Sequence, residues 1–153
     1  MKITENFTII PGLAPIDAAA GADSDSVDMG LLHSVLALIA LGSITVADFH
    51  VKVYSGATAG TKTTALTFNY RYSSAACKSA TADVLGAWAS SADLTVSNAS
   101  KDNFLLAIEV DSSEMPSGKN WLTVEISSGA TVLLAAVVFV GDARQPNVTV
   151  IGA

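Results

Sequence analysis

The chain has 153 residues, enough for one ordinary domain, which at this size buries roughly 70% of the surface its unfolded form exposes. Half of the residues are apolar and only 14% are charged, well below the roughly 25% of typical soluble domains, so part of the exterior is expected to be covered by a partner. The net charge of −6, with eight basic residues scattered singly, excludes the clustered Lys and Arg that sustained contact with nucleic acid requires.

Residues 1–28 read as an N-terminal arm and acidic loop. A β-capable run, Phe7-Thr8-Ile9-Ile10, leads into Pro11-Gly12, Pro15 and a small acidic stretch ending in Asp23-Ser24-Asp25-Ser26, too polar to build a core alone. An extended arm lying on a neighbouring subunit and an edge strand of the same subunit both fit this segment. As an arm, it offers Phe7, Ile9, Ile10 and Leu13 as candidate partner-contact residues, either adding to a neighbour's sheet edge or filling a groove.

Residues 29–153 read as a β-sandwich domain. Met29 to Leu41 suits a buried strand or a short helix, and Ser34, Gly42-Ser43 and the β-branched Ile44-Thr45-Val46 favour the strand. From residue 46 onward the apolar period is two. Phe49, Val51 and Val53 alternate with His50 and Lys52, and Leu66, Phe68, Tyr70 and Tyr72 share one face. The linker Ser55 to Gly60 makes these two runs a hairpin with a long loop. Further strands are predicted at Leu94–Asn98, Phe104–Val110 and Trp121–Ile126, with a turn-rich Ser112–Asn120. Val132–Val140 is apolar without alternation, as in a central strand covered on both faces. The predicted fold is all-β: one antiparallel sandwich or barrel, jelly-roll-like, with the extended N-terminal arm.

No motif for catalysis or cofactor binding emerges, and the protein is expected not to be an enzyme and to carry no cofactor or metal. Gly56-Ala57-Thr58-Ala59-Gly60-Thr61-Lys62-Thr63 approaches a phosphate-binding loop, but Thr61 stands where the second glycine belongs, and a strand follows instead of a helix. Asp23, Asp25 and Asp28 lack the glycine and third ligand of a calcium loop. Glu109 and Asp111 fall on one face at a strand end, where solvent-facing charges discourage edge pairing. His50 is expected at the surface, and His33 in the core or an interface. Cys77, the only cysteine, permits no internal disulfide and reads as a semi-buried loop residue. A Cys-dependent hydrolase would need Cys77 beside His33 or His50. A carbohydrate-binding module would need Trp88, Trp121 and Tyr72 as an exposed platform.

The start Met1-Lys2-Ile3-Thr4-Glu5-Asn6 lacks a signal-peptide pattern. The longest apolar stretches, 35–41 and 132–140, fall short of the ~20 residues that span a bilayer. Neither export nor a membrane partner is expected, which leaves the sequons at Asn6, Asn98 and Asn147 as chance matches.

The stretch Ile9-Ile10-Pro11-Gly12-Leu13-Ala14-Pro15-Ile16-Asp17, running into a Gly/Asp-rich segment, resembles the opening of a family of tailed-bacteriophage accessory head proteins of similar length. The resemblance continues through Val51-Lys52-Val53 to Leu66-Thr67-Phe68, and through Phe104-Leu105-Leu106-Ala107-Ile108-Glu109-Val110-Asp111-Ser112-Ser113-Glu114-Met115. It ends in an apolar strand running towards Arg144 and Pro146. The chain departs from that pattern in its short turn Pro116-Ser117-Gly118-Lys119 and its β-capable tail Val148-Thr149-Val150-Ile151. The resemblance implies a virion structural protein, made in the host cytoplasm, that decorates and cements the capsid exterior. Its partners would be the major capsid protein and copies of itself, with a trimer matching local lattice symmetry. Head-completion and tail-tube roles are the nearest alternatives.

Overall fold

The computed structural model describes residues 3–127, 129, 132–144 and 150–152. In chain order the elements are α1 (Ile3–Asn6), β1 (Thr8–Asp17), β2 (Ala22–Asp23), β3 (Ser26–Asp28), β4 (Leu32–Thr45), β5 (Phe49–Gly56), β6 (Thr64–Leu66) and β7 (Phe68–Tyr72). They continue with β8 (Ala89–Ser91), β9 (Leu94–Val96), β10 (Leu105–Asp111), β11 (Trp121–Ile126), β12 (Val132–Ala143) and β13 (Ile151–Gly152).

Among the described residues these strands form two antiparallel sheets. The first runs β1-β12-β4-β10-β7-β8; the second runs β13-β3-β11-β5-β6, with β2 also on β11 and β9 also on β5. The sheets remain open and pack face to face, so of the two expected architectures the sandwich is the one formed. One apolar core lies between them, drawing Ile39, Leu106, Ile108 and Phe139 from the first sheet and Phe49, Val53, Leu122 and Ile126 from the second. Alternation builds this core: in β5 every second residue from Phe49 to Val53 is buried, while His50, Lys52 and Tyr54 are only partly covered.

The run Leu66–Tyr72 keeps its predicted face but is two strands. β6 pairs with β5 in the second sheet, and after Thr67 the chain crosses so that β7 pairs with β10 in the first. Leu66 and Phe68 are buried and Tyr70 and Tyr72 pack against the core, so one apolar face serves both sheets. The Tyr70 and Tyr72 rings meet edge to face at 5.9 Å.

Residues 8–17 lie in this chain's own sheet, the edge-strand reading of the two considered for the N-terminal segment. β1 pairs antiparallel with β12, from Thr8 opposite Gly141 to Asp17 opposite Leu134, with register shifts around Leu13. Pro11 and Pro15 take amide donors out of this edge strand, which blunts it as a template for further pairing. Gly12 lies directly against Phe139: a Cβ there would sit 2.4 Å from the ring, so no larger residue allows this close approach. Residues 22–28 likewise join the second sheet through β2 and β3. Of the tail, Ile151 pairs with Val27; Pro146, Asn147, Val148 and Thr149 lie outside the described residues.

Candidate functional site

β4 and β12 are apolar on both faces, and only one of those faces meets the core. Register fixes what the other face carries. Ile9, Val140 and Leu36 stand side by side across β1, β12 and β4, and the row continues to Glu109 and Asn69 on β10 and β7. The next row is Pro11, Val138, Leu38, Ala107 and Arg71; beyond it Ala136, Ala40 and Leu105 align. In the opposite direction Asp142, Ser34 and Asp111 close the face with a polar row.

Ile9 and Val138 are exposed and Leu36, Leu38 and Val140 half-buried, with no described strand packed over them and α1 bordering the face at Leu36 and Val140. These rows hold ten apolar residues; on strands ~4.8 Å apart, in rows ~6.8 Å apart, they make an apolar field on the order of 300 Å². Patches of about 300–600 Å² are the largest that monomers usually expose, and they are often functional.

At the polar end of this face lies α1. The Phe7 amide donates to the Ile3 carbonyl at 2.9 Å, closing its single turn. Ile3 and Phe7 line, together with residues of the strands, a groove of about 610 Å³. Leu36 and Val140 belong to its apolar lining, and Glu109, Asp111, Glu114 and Asp142 are its charged residues.

Two of these carboxylates also build the turn after β10. Asp111 Oδ1 accepts from the Ser113 amide at 2.8 Å, and Glu114 Oε2 accepts from the Asp111 amide at 2.7 Å, a capping box on the 3-10 turn Ser112–Glu114. The Ser113 hydrogen bonds hold the Asp111 carboxyl below its usual pKa. Arg144 stands nearby, with Nε on the Leu32 carbonyl at 3.0 Å and Nη2 on Ser112 Oγ at 2.9 Å.

Of the candidate contact residues, Phe7 and Ile9 are exposed and lie along this face, and Leu13 is partly buried against the core. Ile10 is 4% exposed within the core, on the opposite side of its strand from Ile9, and offers no contact surface. Glu109 and Asp111 do share a face, but β10 is an interior strand between β4 and β7, so they guard no sheet edge.

The other polar candidates have structural surroundings. The loop that approaches a phosphate-binding motif closes the β5–β6 hairpin. Its Gly60 amide donates to Ser26 Oγ at 2.8 Å, and Lys62 bridges Asp23 at 2.9 Å and Glu125 at 2.5 Å. The hydrogen bonds to Asp23 and Glu125 raise the Lys62 pKa. Asp28 Oδ1 accepts from the Gly30 amide, and among the described residues no three His, Cys, Asp or Glu converge as a metal site.

His33 is exposed rather than in the core, because its side chain alternates away from the buried Leu32 at the start of β4. His50 Nδ1 meets Asp93 Oδ1 at 2.7 Å on the second sheet, with Lys52 3.4 Å from Asp93 Oδ2. Cys77 is exposed in the β7–β8 connection, and no hydrogen bond among the described residues joins it to either histidine. The three aromatics do not form one platform. Tyr72 packs against the core, Trp88 lies under the Arg71 guanidinium at 4.2 Å, and Trp121 belongs to the other sheet.

Comparison of the chain with protein-family models, curated proteins and solved structures finds no match to any of the three.

The sequence placed candidate contact residues on the N-terminal segment and did not mark β4 and β12 as part of the same surface. The unbroken apolar run Val132–Val140 pointed to a strand covered on both faces. One covering layer is the second sheet, and no other described strand packs on the opposite face.

Proposed function

We propose that this protein is a non-enzymatic structural subunit that docks on a larger protein assembly through the outer face of its six-stranded sheet. We take that assembly to be the capsid of a tailed bacteriophage, on whose exterior the protein acts as a decoration, or cement, protein. The observation that carries the docking reading is the aligned apolar field of Ile9, Val140, Leu36, Val138 and Leu38 on a face the chain leaves open. The phage setting rests on the resemblance of Ile9–Asp17 and Phe104–Met115 to accessory head proteins.

The physical role would be clamping. Burying a field on the order of 300 Å² per subunit is modest beside the ~800 Å² per partner of a standard stable interface. Many copies on a symmetric lattice, self-associated as trimers or otherwise, would add such contacts by avidity. The low charged fraction fits a subunit that spends its working life partly covered.

The test is the copy number of the protein relative to the major capsid protein in purified virions, measured by quantitative mass spectrometry. A large, lattice-compatible ratio supports decoration. A few copies per particle would move the protein to the portal or tail, and absence from virions would refute the virion reading. Leu38→Lys combined with Val138→Lys tests the face itself. Both side chains already meet solvent, so the variant should fold with a stability change of about 1 kcal/mol or less while occupancy on the capsid collapses.

A further inference from the structure

The groove at the polar end of the open face differs from the rest of that face. Among the described residues its lining combines an apolar part, made by Leu36, Val140, Phe7 and Ile3, with four carboxylates and no Lys or Arg. Asp111 and Glu114 are tied into the capping box, but Glu109 and Asp142 make no side-chain hydrogen bond or ion pair among the described residues. Arg144, beside the Ser112–Glu114 turn, spends its guanidinium on the Leu32 carbonyl and Ser112, and Arg71, one row from Glu109 on β7, lies over the Trp88 ring.

We propose that this groove receives an extended segment of a partner protein in which basic and aliphatic side chains alternate along one side. The inference rests on the docking reading of the face and adds the chemistry of what docks. Lys and Arg carry an apolar stem and a cationic head, so one side chain can lie on Leu36 and Val140 while its head reaches Glu109 or Asp142. A volume of about 610 Å³ falls in the usual range of ligand-sized pockets and holds more than a single side chain. In an extended segment, successive side chains point to opposite sides, so only every second residue reaches the groove, and a basic and an aliphatic side chain two positions apart meet it together.

A second copy of this chain fits poorly. The chain carries a net charge of −6, and its own alternating basic–aliphatic run, His50-Val51-Lys52-Val53, is committed to β5 with Val51 and Val53 in the core. Two copies meeting groove to groove would place carboxylates against carboxylates.

The experiment uses the whole chain and three synthetic peptides of about nine residues, repeating Lys-Ser-Val-Ser (the Lys/Val peptide), Glu-Ser-Val-Ser (Glu/Val) and Lys-Ser-Ser-Ser (Lys/Ser), so that one side carries the named pair. Binding is followed by calorimetry and by amide shifts in nuclear magnetic resonance spectra. The Lys/Val peptide should bind at least about tenfold more tightly than either control, with shifts centred on Ser34, Leu36, Glu109 and Asp142. Its affinity should weaken as salt rises from about 0.05 to about 0.5 M.

Glu109→Gln combined with Asp142→Asn removes both charges at constant size. It should lower the affinity about tenfold while the melting temperature stays the same, the loss expected for charge-assisted contacts. Equal binding of the Glu/Val peptide, shifts centred elsewhere, or unchanged affinity in the double variant would each overturn the proposal, as would no binding at all. The assay contains no capsid, so its failure leaves the virion copy number untouched, and failure of the virion reading leaves the peptide result standing.

Discussion

Ser26 and Thr123 form a buried polar pair whose removal should be strongly non-additive. Ser26 Oγ lies 2.8 Å from Thr123 Oγ1 and also accepts from the Gly60 amide at 2.8 Å; the two residues are 1% and 2% exposed. Ser26→Ala strands the Thr123 hydroxyl in a dry environment and releases the Gly60 amide, which loop movement can expose to water. A buried unsatisfied group costs about 1–3 kcal/mol, so the single change should cost about 2 kcal/mol. Thr123→Val keeps the volume and leaves Ser26 bonded to Gly60, for a cost of about 1 kcal/mol. In the double variant no hydroxyl is stranded, so its cost should fall at least ~1 kcal/mol short of the sum. Urea denaturation of the four proteins measures this directly. Ser26→Ala alone should lower the melting temperature by about 4–8 °C for a domain of this size. Additivity within ~0.3 kcal/mol would refute the assignment of the cost to a stranded hydroxyl.

Gly12→Ala should destabilise by about 1–3 kcal/mol, because the added methyl would stand 2.4 Å from the fully buried Phe139 ring and neither can retreat; calorimetry checks it. Val46, exposed at the β4–β5 turn, has φ of 74°, a left-handed conformation costly for a β-branched residue. Val46→Asn should therefore stabilise the protein by about 0.5–1 kcal/mol, read as a higher denaturation midpoint. Lys62→Met should cost about 1 kcal/mol or less at neutral pH, as expected for a partly exposed ion-pair network. Because the Asp23 and Glu125 hydrogen bonds raise the folded pKa of Lys62, its contribution is fully present below the unfolded value near 10.5. It disappears as pH climbs through the raised folded value, so the stability difference between wild type and variant should stay level from pH 7 to 10 and shrink above that.

Locally periodic segments were readable without any structure. Phe49, Val51 and Val53 had to share a face because a strand alternates, and the same rule placed Leu66, Phe68, Tyr70 and Tyr72 together. That rule could not show that the chain changes sheets at Thr67, because both strands present the same face to one core. Nor could it mark β2, β3, β8 or β13, each of two or three residues, too short to display a period.

The sequence by itself determined the all-β character, the β5–β6 hairpin and the excess of apolar surface. Each of these is written in neighbouring residues, through alternation, turn chemistry and composition. Tertiary structure alone decided that residues 8–17 join their own sheet, and that β10 is interior and Glu109 faces a groove. These follow from pairings between segments as distant as β1 and β12. Above all, the unbroken apolar run 132–140 marked a strand with both faces apolar, but not what would cover them. Apolar burial is non-directional, and a side chain encodes how strongly it leaves water without encoding which surface receives it. The fold assigned one face to the core and left the other, with its acidic groove, open on the outside.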